Sequence, residues 1–229
     1  MLLIYGDLLL DDPLGFVVLI AVIAVSLLVG ITVHEFSHAF VASRLGDPTA
    51  ARLGRLTLNP KAHLDPTGTI MLLVAGFGWG KPVPVDPRRL WNGRRGMAMV
   101  SAAGPLSNVA LALGFALLFQ LGIVTSAGGL SIEALKALDM VAWTTAIATY
   151  GVVLNLILAA INLLPIAPLD GGGILMGVLP RGWLPVVGKL QRYGPFVLIG
   201  IVGLTFLTDI NVLGFVFEPV RELAARLMR

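Results

Sequence analysis

His34-Glu35-Phe36-Ser37-His38 sets two imidazoles four residues apart with a carboxylate beside the first. On a helix, positions i and i+4 share a face, so both rings can reach one metal ion. Glu35 projects to the side of that pair, where it can act on a water held by the ion. The chain has no cysteine, so any metal must be held by His, Asp or Glu. Zinc is the expected ion, one per chain. Two neutral imidazoles and one carboxylate leave a position for water, whose pKa zinc lowers toward about 7. Glu35 would take that proton and later give one to a leaving amine. The competing reading of HEFSH is a polar cluster at the interfacial end of a helix.

A third ligand is needed, and the candidates are few. Glu133 and Asp139 lie in one loop, and Asp209, Glu218 and Glu222 lie toward the C-terminus. Asp47, Asp65 and Asp86 lie among basic residues, with His63 near Asp65. Asp170 differs because it follows a long apolar run, within NLLPIAPLDGGGIL. The prolines and glycines there free backbone groups, which membrane depth tolerates only around a buried or polar cavity. The competing role for Asp170 is a helix N-cap.

These residues must be positioned by apolar elements. Of 229 residues, 57% are hydrophobic and only 13% charged, against about 25% in ordinary soluble domains. Mean hydropathy is +0.91. So little charge excludes a soluble globular enzyme, a disordered chain and a disulfide scaffold, and indicates an all-α polytopic membrane protein. The net charge of +3 does not point to nucleic acid, because the basic residues sit between apolar runs. No basic n-region of a signal peptide precedes Asp7.

The spacing predicts about four to six membrane segments in a single domain spanning 1–229. The first begins at Pro13 and continues as helix through Leu45, which places HEFSH near the far membrane boundary. Residues 67–80 are apolar but short, which suits a re-entrant segment. Further runs are 97–124, interrupted at Gly104-Pro105, and 140–164, broken by Pro165 and Pro168. Residues 194–207 are apolar and short, and 215–229 are amphipathic. Residues 52–59 alternate enough for a strand and 81–87 are Pro-stiffened and extended, so a small membrane-associated β element is expected. Its edge could receive an unwound substrate segment. Basic loops at 44–66, 81–96 and 181–192 place the site near the cytoplasmic face of the cell membrane.

Taken together, HEFSH and the later Asn162, Pro165, Leu169, Asp170 and Gly171 resemble the two signatures of the site-2 protease family of intramembrane zinc metalloproteases. GRLTLNPKAHLDPTGTI (54–70), GKPVPVDP (80–87) and AGPLSN (103–108) are similar to its compact prokaryotic branch. No loop is long enough for a PDZ domain of roughly 80–100 residues. The resemblance implies that His34, His38 and Asp170 bind zinc and that Glu35 is the general base. It further implies that Asn162 positions the scissile carbonyl or stabilises the oxyanion. Regulated cleavage of single-pass transmembrane proteins, such as anti-sigma factors or signal-peptide remnants, within the lipid bilayer follows as the expected activity. Asn108 reads as structural, with substrate contact as the alternative, and His63 as a gating or structural hydrogen bond. The alternative from another class is a metal transporter using the His/Asp cluster as a transit site. It lacks a second such cluster along a path. A serine protease reading centred on Ser107 lacks its motif and a His partner.

Overall fold

The computed structural model describes residues 1–75, 78–125, 131–207 and 214–229. In chain order the helices are α1 (Leu2–Asp11), α2 (Pro13–Arg44), α3 (Thr49–Arg52), α4 (Pro66–Ala75) and α5 (Arg94–Gln120). Then follow α6 (Ile132–Lys136), α7 (Met140–Asn162), α8 (Asp170–Val178), α9 (Leu184–Leu207) and α10 (Gly214–Leu227). Among the described residues, α2, α5 and α7 are the three long and apolar enough to cross a membrane. They pack against one another, and α8 closes on α5. The expected four to six segments included shorter apolar runs that do not meet this measure.

α2 starts where Asp12 accepts a hydrogen bond from the Gly15 N–H at 3.0 Å and Pro13 takes the first helical position. Lys136 ties α6 to this cap with Nζ 3.1 Å from Asp12 Oδ2. The Gly15 hydrogen bond and then the Lys136 ammonium hold the Asp12 carboxyl below the usual carboxylate range. His34 lies 21 positions after Pro13, about 32 Å along the axis at ~1.5 Å per residue. That is roughly one hydrocarbon thickness.

Small residues let the three helices approach closely. Ala112 and Ala116 of α5 pack with Ala148, Val152 and Leu156 of α7. A Cβ on Gly151 would stand 2.6 Å from the Phe115 ring. The outward faces carry Val25 and Val29 on α2 and Leu106, Leu113 and Leu117 on α5, all exposed and suited to lipid.

Three expectations change. α5 runs unbroken through Pro105, whose missing N–H removes only the bond to the Ser101 carbonyl. Lys189 and Arg192 sit on α9 rather than in a loop, because that helix starts at Leu184, ahead of the apolar run, and continues through Pro195. The third change is the β element, which is not present among the described residues. Residues 49–52 form a helical turn and Gly54 reverses the chain at φ +70°. In 81–87, Pro82 and Pro84 lack the N–H groups that a ladder needs. What remains is one antiparallel bridge between Leu64 and Gly80. The N–H of Lys81 donates to the His63 carbonyl at 2.7 Å. This bridge returns the chain beside the start of α4, a path that suits the expected re-entrant segment; residues 76 and 77 lie outside the described ones.

The corner after α2 is held by Asp47, which is fully buried. Its carboxylate accepts from the Thr49 N–H at 3.0 Å, the Thr49 hydroxyl, and the Asp86 N–H at 2.7 Å. Burial opposes its ionisation, but these hydrogen bonds outweigh burial and hold the carboxyl below the usual range. Asp47→Ala is expected to cost about 1–3 kcal/mol by orphaning these donors. The folded-state pKa lies below the unfolded value of about 3.9. The ionised group's contribution is therefore full above that value and fades as pH falls through the depressed one. Thermal melts of both proteins across pH check this; a gap unchanged through the acid range would contradict it.

Candidate metal centre

His34 and His38 lie one turn apart on the inward face of α2, and both are buried. Their Nε2 atoms are 3.0 Å apart and the rings meet edge-on at 85°. Asp170 reaches them from the first turn of α8. Its Oδ2 is 3.0 Å from His34 Nε2 and its Oδ1 is 3.3 Å from His38 Nε2.

The outer ring nitrogens decide what these atoms can do. His38 Nδ1 lies 2.7 Å from the Val100 carbonyl, which can only accept. The neutral ring therefore carries its proton on Nδ1, and its Nε2 presents a lone pair. His34 Nδ1 faces the Asn108 side-chain oxygen at 2.6 Å, with the same consequence. With both Nε2 atoms presenting lone pairs, Asp170 Oδ2 is buried 3.0 Å from His34 Nε2 without a hydrogen-bond donor. Three acceptors thus converge in a buried place, which is unfavourable unless a cation lies among them. With one ligand atom from each residue, the three lie within 4.8 Å of one another, close enough to surround a single metal ion. Among the described residues, this is the one group of His and carboxylates able to hold a metal.

The local sequence explains the convergence. Val100, Gly104 and Asn108 fall on one stripe of α5, opposite Gly30, His34 and His38 on α2. A Cβ on Gly104 would sit 2.5 Å from His38 Nε2 and 2.6 Å from His34 Nε2. Only glycine leaves room there for both rings. On α8, a Cβ on Gly171 would meet the Leu163 and Leu164 carbonyls at 2.3 Å, and one on Gly173 the Ser101 hydroxyl at 2.2 Å. The glycines after Asp170 therefore let α8 dock against both α7's end and α5.

The site opens on a cavity of about 370 Å³. His34, Glu35, His38, Asp170 and Asn162 all line it, as do Trp79, Pro82, Val83 and Val85. Glu35 Oε1 approaches Gly80, standing 3.5 Å from where a Cβ would be. Asn162 donates from Nδ2 to the Leu158 carbonyl at 2.9 Å, which leaves its second amide proton free for another acceptor.

The remaining candidate ligands are engaged elsewhere. Glu133 pairs with Lys136 at 3.0 Å, and Asp139 caps α7. Asp65 accepts from the Gly68 N–H at 2.8 Å, and Asp86 pairs with Arg88 at 3.1 Å. Glu218 and Glu222 lie on α10, away from this cavity, and Asp209 lies outside the described residues. His63 is buried, with Nε2 2.8 Å from the Thr57 carbonyl, and serves structure. Beside it Arg55 donates to the Pro82 carbonyl at 3.0 Å and to the Lys81 carbonyl, holding the cavity wall. Sequence reasoning missed the role of Asn108 against His34, and missed Asn155 altogether. An asparagine inside an apolar run, which must find a partner, was the available signal.

Residues 22–186 match the model of Peptidase family M50, and this stretch contains the whole cluster. The chain belongs to that family. It is 41% identical over 181 residues to "Putative zinc metalloprotease YwhC" of Bacillus subtilis (strain 168), covering 77% of this chain and 78% of that one. It is 34% identical over 166 residues to "Putative zinc metalloprotease Rip2" of Mycobacterium tuberculosis, covering 70% of this chain and 58% of the relative. The Rip2 of Mycolicibacterium smegmatis is 35% identical over 191 residues, covering 82% and 68%. No solved structure matches the chain.

Gly104→Ala is expected to leave the helices assembled but to push the imidazoles apart, lowering zinc affinity by about tenfold or more. Metal content after purification and competition with a chromophoric chelator measure this. Wild-type affinity in a folded Gly104→Ala protein would show that the rings do not need that space.

Proposed function

We propose that the protein is an intramembrane zinc endopeptidase, with His34, His38 and Asp170 as its zinc ligands. The observation that carries this reading is the convergence of two buried imidazoles and a carboxylate beside Glu35 and Asn162, in the C-terminal third of a helix long enough to cross a membrane. Zinc bound there would act as a Lewis acid and favour formation of hydroxide from water near neutral pH.

The chain's own groups account for the rest. Glu35, on the cavity wall, takes a proton from the attacking water and passes it to the departing amine nitrogen as the peptide C–N bond breaks. Asn162 offers its free amide proton to the carbonyl oxygen as charge develops there. Val83, Val85 and Trp79 give the cavity an apolar wall suited to the side chains of a membrane segment. The prolines at 82 and 84 stiffen that wall, and Arg55 anchors it.

The substrate class we propose is single-pass transmembrane proteins, anti-sigma factors and signal-peptide remnants among them. The chain acts as one catalytic unit, multi-pass in the cell membrane. The basic residues around 44–66 and 81–96 favour a site on the cytoplasmic side. A transporter would need further ligands along a path, and among the described residues no second group exists.

A membrane-spanning reporter in detergent or liposomes tests this. Wild type should cut it, and a zinc chelator should abolish cutting. Glu35→Gln should keep zinc and lose at least about 100-fold in rate. Asp170→Ala should lose both zinc and activity. Asn162→Ala should keep zinc and lose about 10²–10³ in kcat. Cleavage that survives chelation and the Glu35 and Asp170 substitutions would refute the assignment.

A further inference from the structure

Asn108 and Asn155 are both fully buried in the centre of the three long helices. Neither lines the cavity, so neither meets substrate there. Their hydrogen bonds form one directed chain. Asn155 Nδ2 donates to the Gly151 carbonyl at 2.8 Å, one turn back on α7. This turns the Asn155 oxygen toward Asn108, whose Nδ2 donates to it at 2.9 Å. The same Nδ2 donates to the Gly30 carbonyl of α2 at 3.2 Å. The Asn108 oxygen is left to face His34 Nδ1 at 2.6 Å.

The direction of this chain is forced. Gly30 and Gly151 contribute backbone carbonyls, which only accept. Turning either amide around would set oxygen against oxygen in a buried site, at the cost of lost hydrogen bonds. Asn108 must therefore present an acceptor to His34, and His34 must carry its proton on Nδ1. Nε2 then holds the lone pair aimed at Asp170 and His38. The reverse tautomer would place a proton on the atom that faces the other two ligands. His38 needs no such help, since the Val100 carbonyl fixes it directly.

Gly30 completes the device. A Cβ there would come within 2.9 Å of the Asn155 side-chain oxygen. Its absence lets the two amides lie flat against α2, where they join all three long helices at the depth of the ligands.

We propose that Asn108, aligned by Asn155 and the two carbonyls, is a positioning residue that holds His34 in the one tautomer able to bind zinc. The proposal rests on the zinc-site reading given above. It acts through the ligand, touching neither metal nor substrate.

The chain has three histidines, so histidine-selective ¹⁵N NMR of the metal-free protein resolves the question. At a pH above the ordinary histidine range, wild-type His34 is expected as the Nδ1–H tautomer. Asn108→Leu should mix the two tautomers and weaken zinc binding about 10–100-fold in a chelator competition. Asn155→Leu should keep the Nδ1–H form and lose less affinity, because it reaches His34 only through Asn108. His63, bonded to the Thr57 carbonyl and not among the cavity-lining residues, reports whether each variant is folded. Wild-type His34 protonated on Nε2 would overturn the proposal without any variant. A folded Asn108→Leu protein with unchanged tautomer and affinity would do the same. Wild type that shows the Nδ1–H tautomer but no zinc affinity would instead sink the zinc reading and leave the tautomer assignment intact.

Discussion

Two imidazole nitrogens and the two oxygens of one carboxylate approach within 3.0–3.3 Å at the wall of a cavity. Each carries a lone pair, and lone pairs that close repel unless a positive charge lies between them. The rest of the structure can be understood as what brings these atoms together and keeps their protons on the far side. α2 supplies both rings from adjacent turns, and α8 brings the carboxylate. α5 supplies the Val100 carbonyl and the Asn108 amide that set the tautomers.

That arrangement requires backbones to approach more closely than side chains usually permit. Gly104 leaves the volume that the rings occupy, and Gly171 and Gly173 let the short α8 dock against α7 and α5. In a bilayer, helices gain little from hiding apolar surface, so association relies on such contacts and on buried hydrogen bonds. The glycines, alanines and asparagines of α2, α5 and α7 do both. The same residues that assemble the bundle therefore fix the ligand geometry, which couples stability to chemistry.

Much of the candidate site was legible in the sequence because membrane depth makes polar residues costly. His34, Glu35 and His38 stood out by helical spacing, and Asp170 by its place after an apolar run and beside prolines and glycines. All four, with Asn162, border one cavity. The three long helices were legible for the same reason, with ends within a few residues of those seen. The β element was not, because 52–59 alternates without the partner strand a ladder needs, and Pro82 and Pro84 block pairing on the other side. Nor was the continuity of α5 through Pro105, since a buried helix held by its neighbours survives one lost hydrogen bond. The Asn108–Asn155 pair was hidden because it spans 47 positions and depends on helix register. An asparagine in an apolar run announces that a partner is needed, but not which one.

X-ray absorption at the zinc edge of the purified protein tests the central claim most directly. The account predicts bound zinc with only nitrogen and oxygen neighbours at about 2.0–2.2 Å and outer-shell scattering from two imidazoles. A protein that takes up no zinc, or holds it with fewer than two imidazoles, would contradict it.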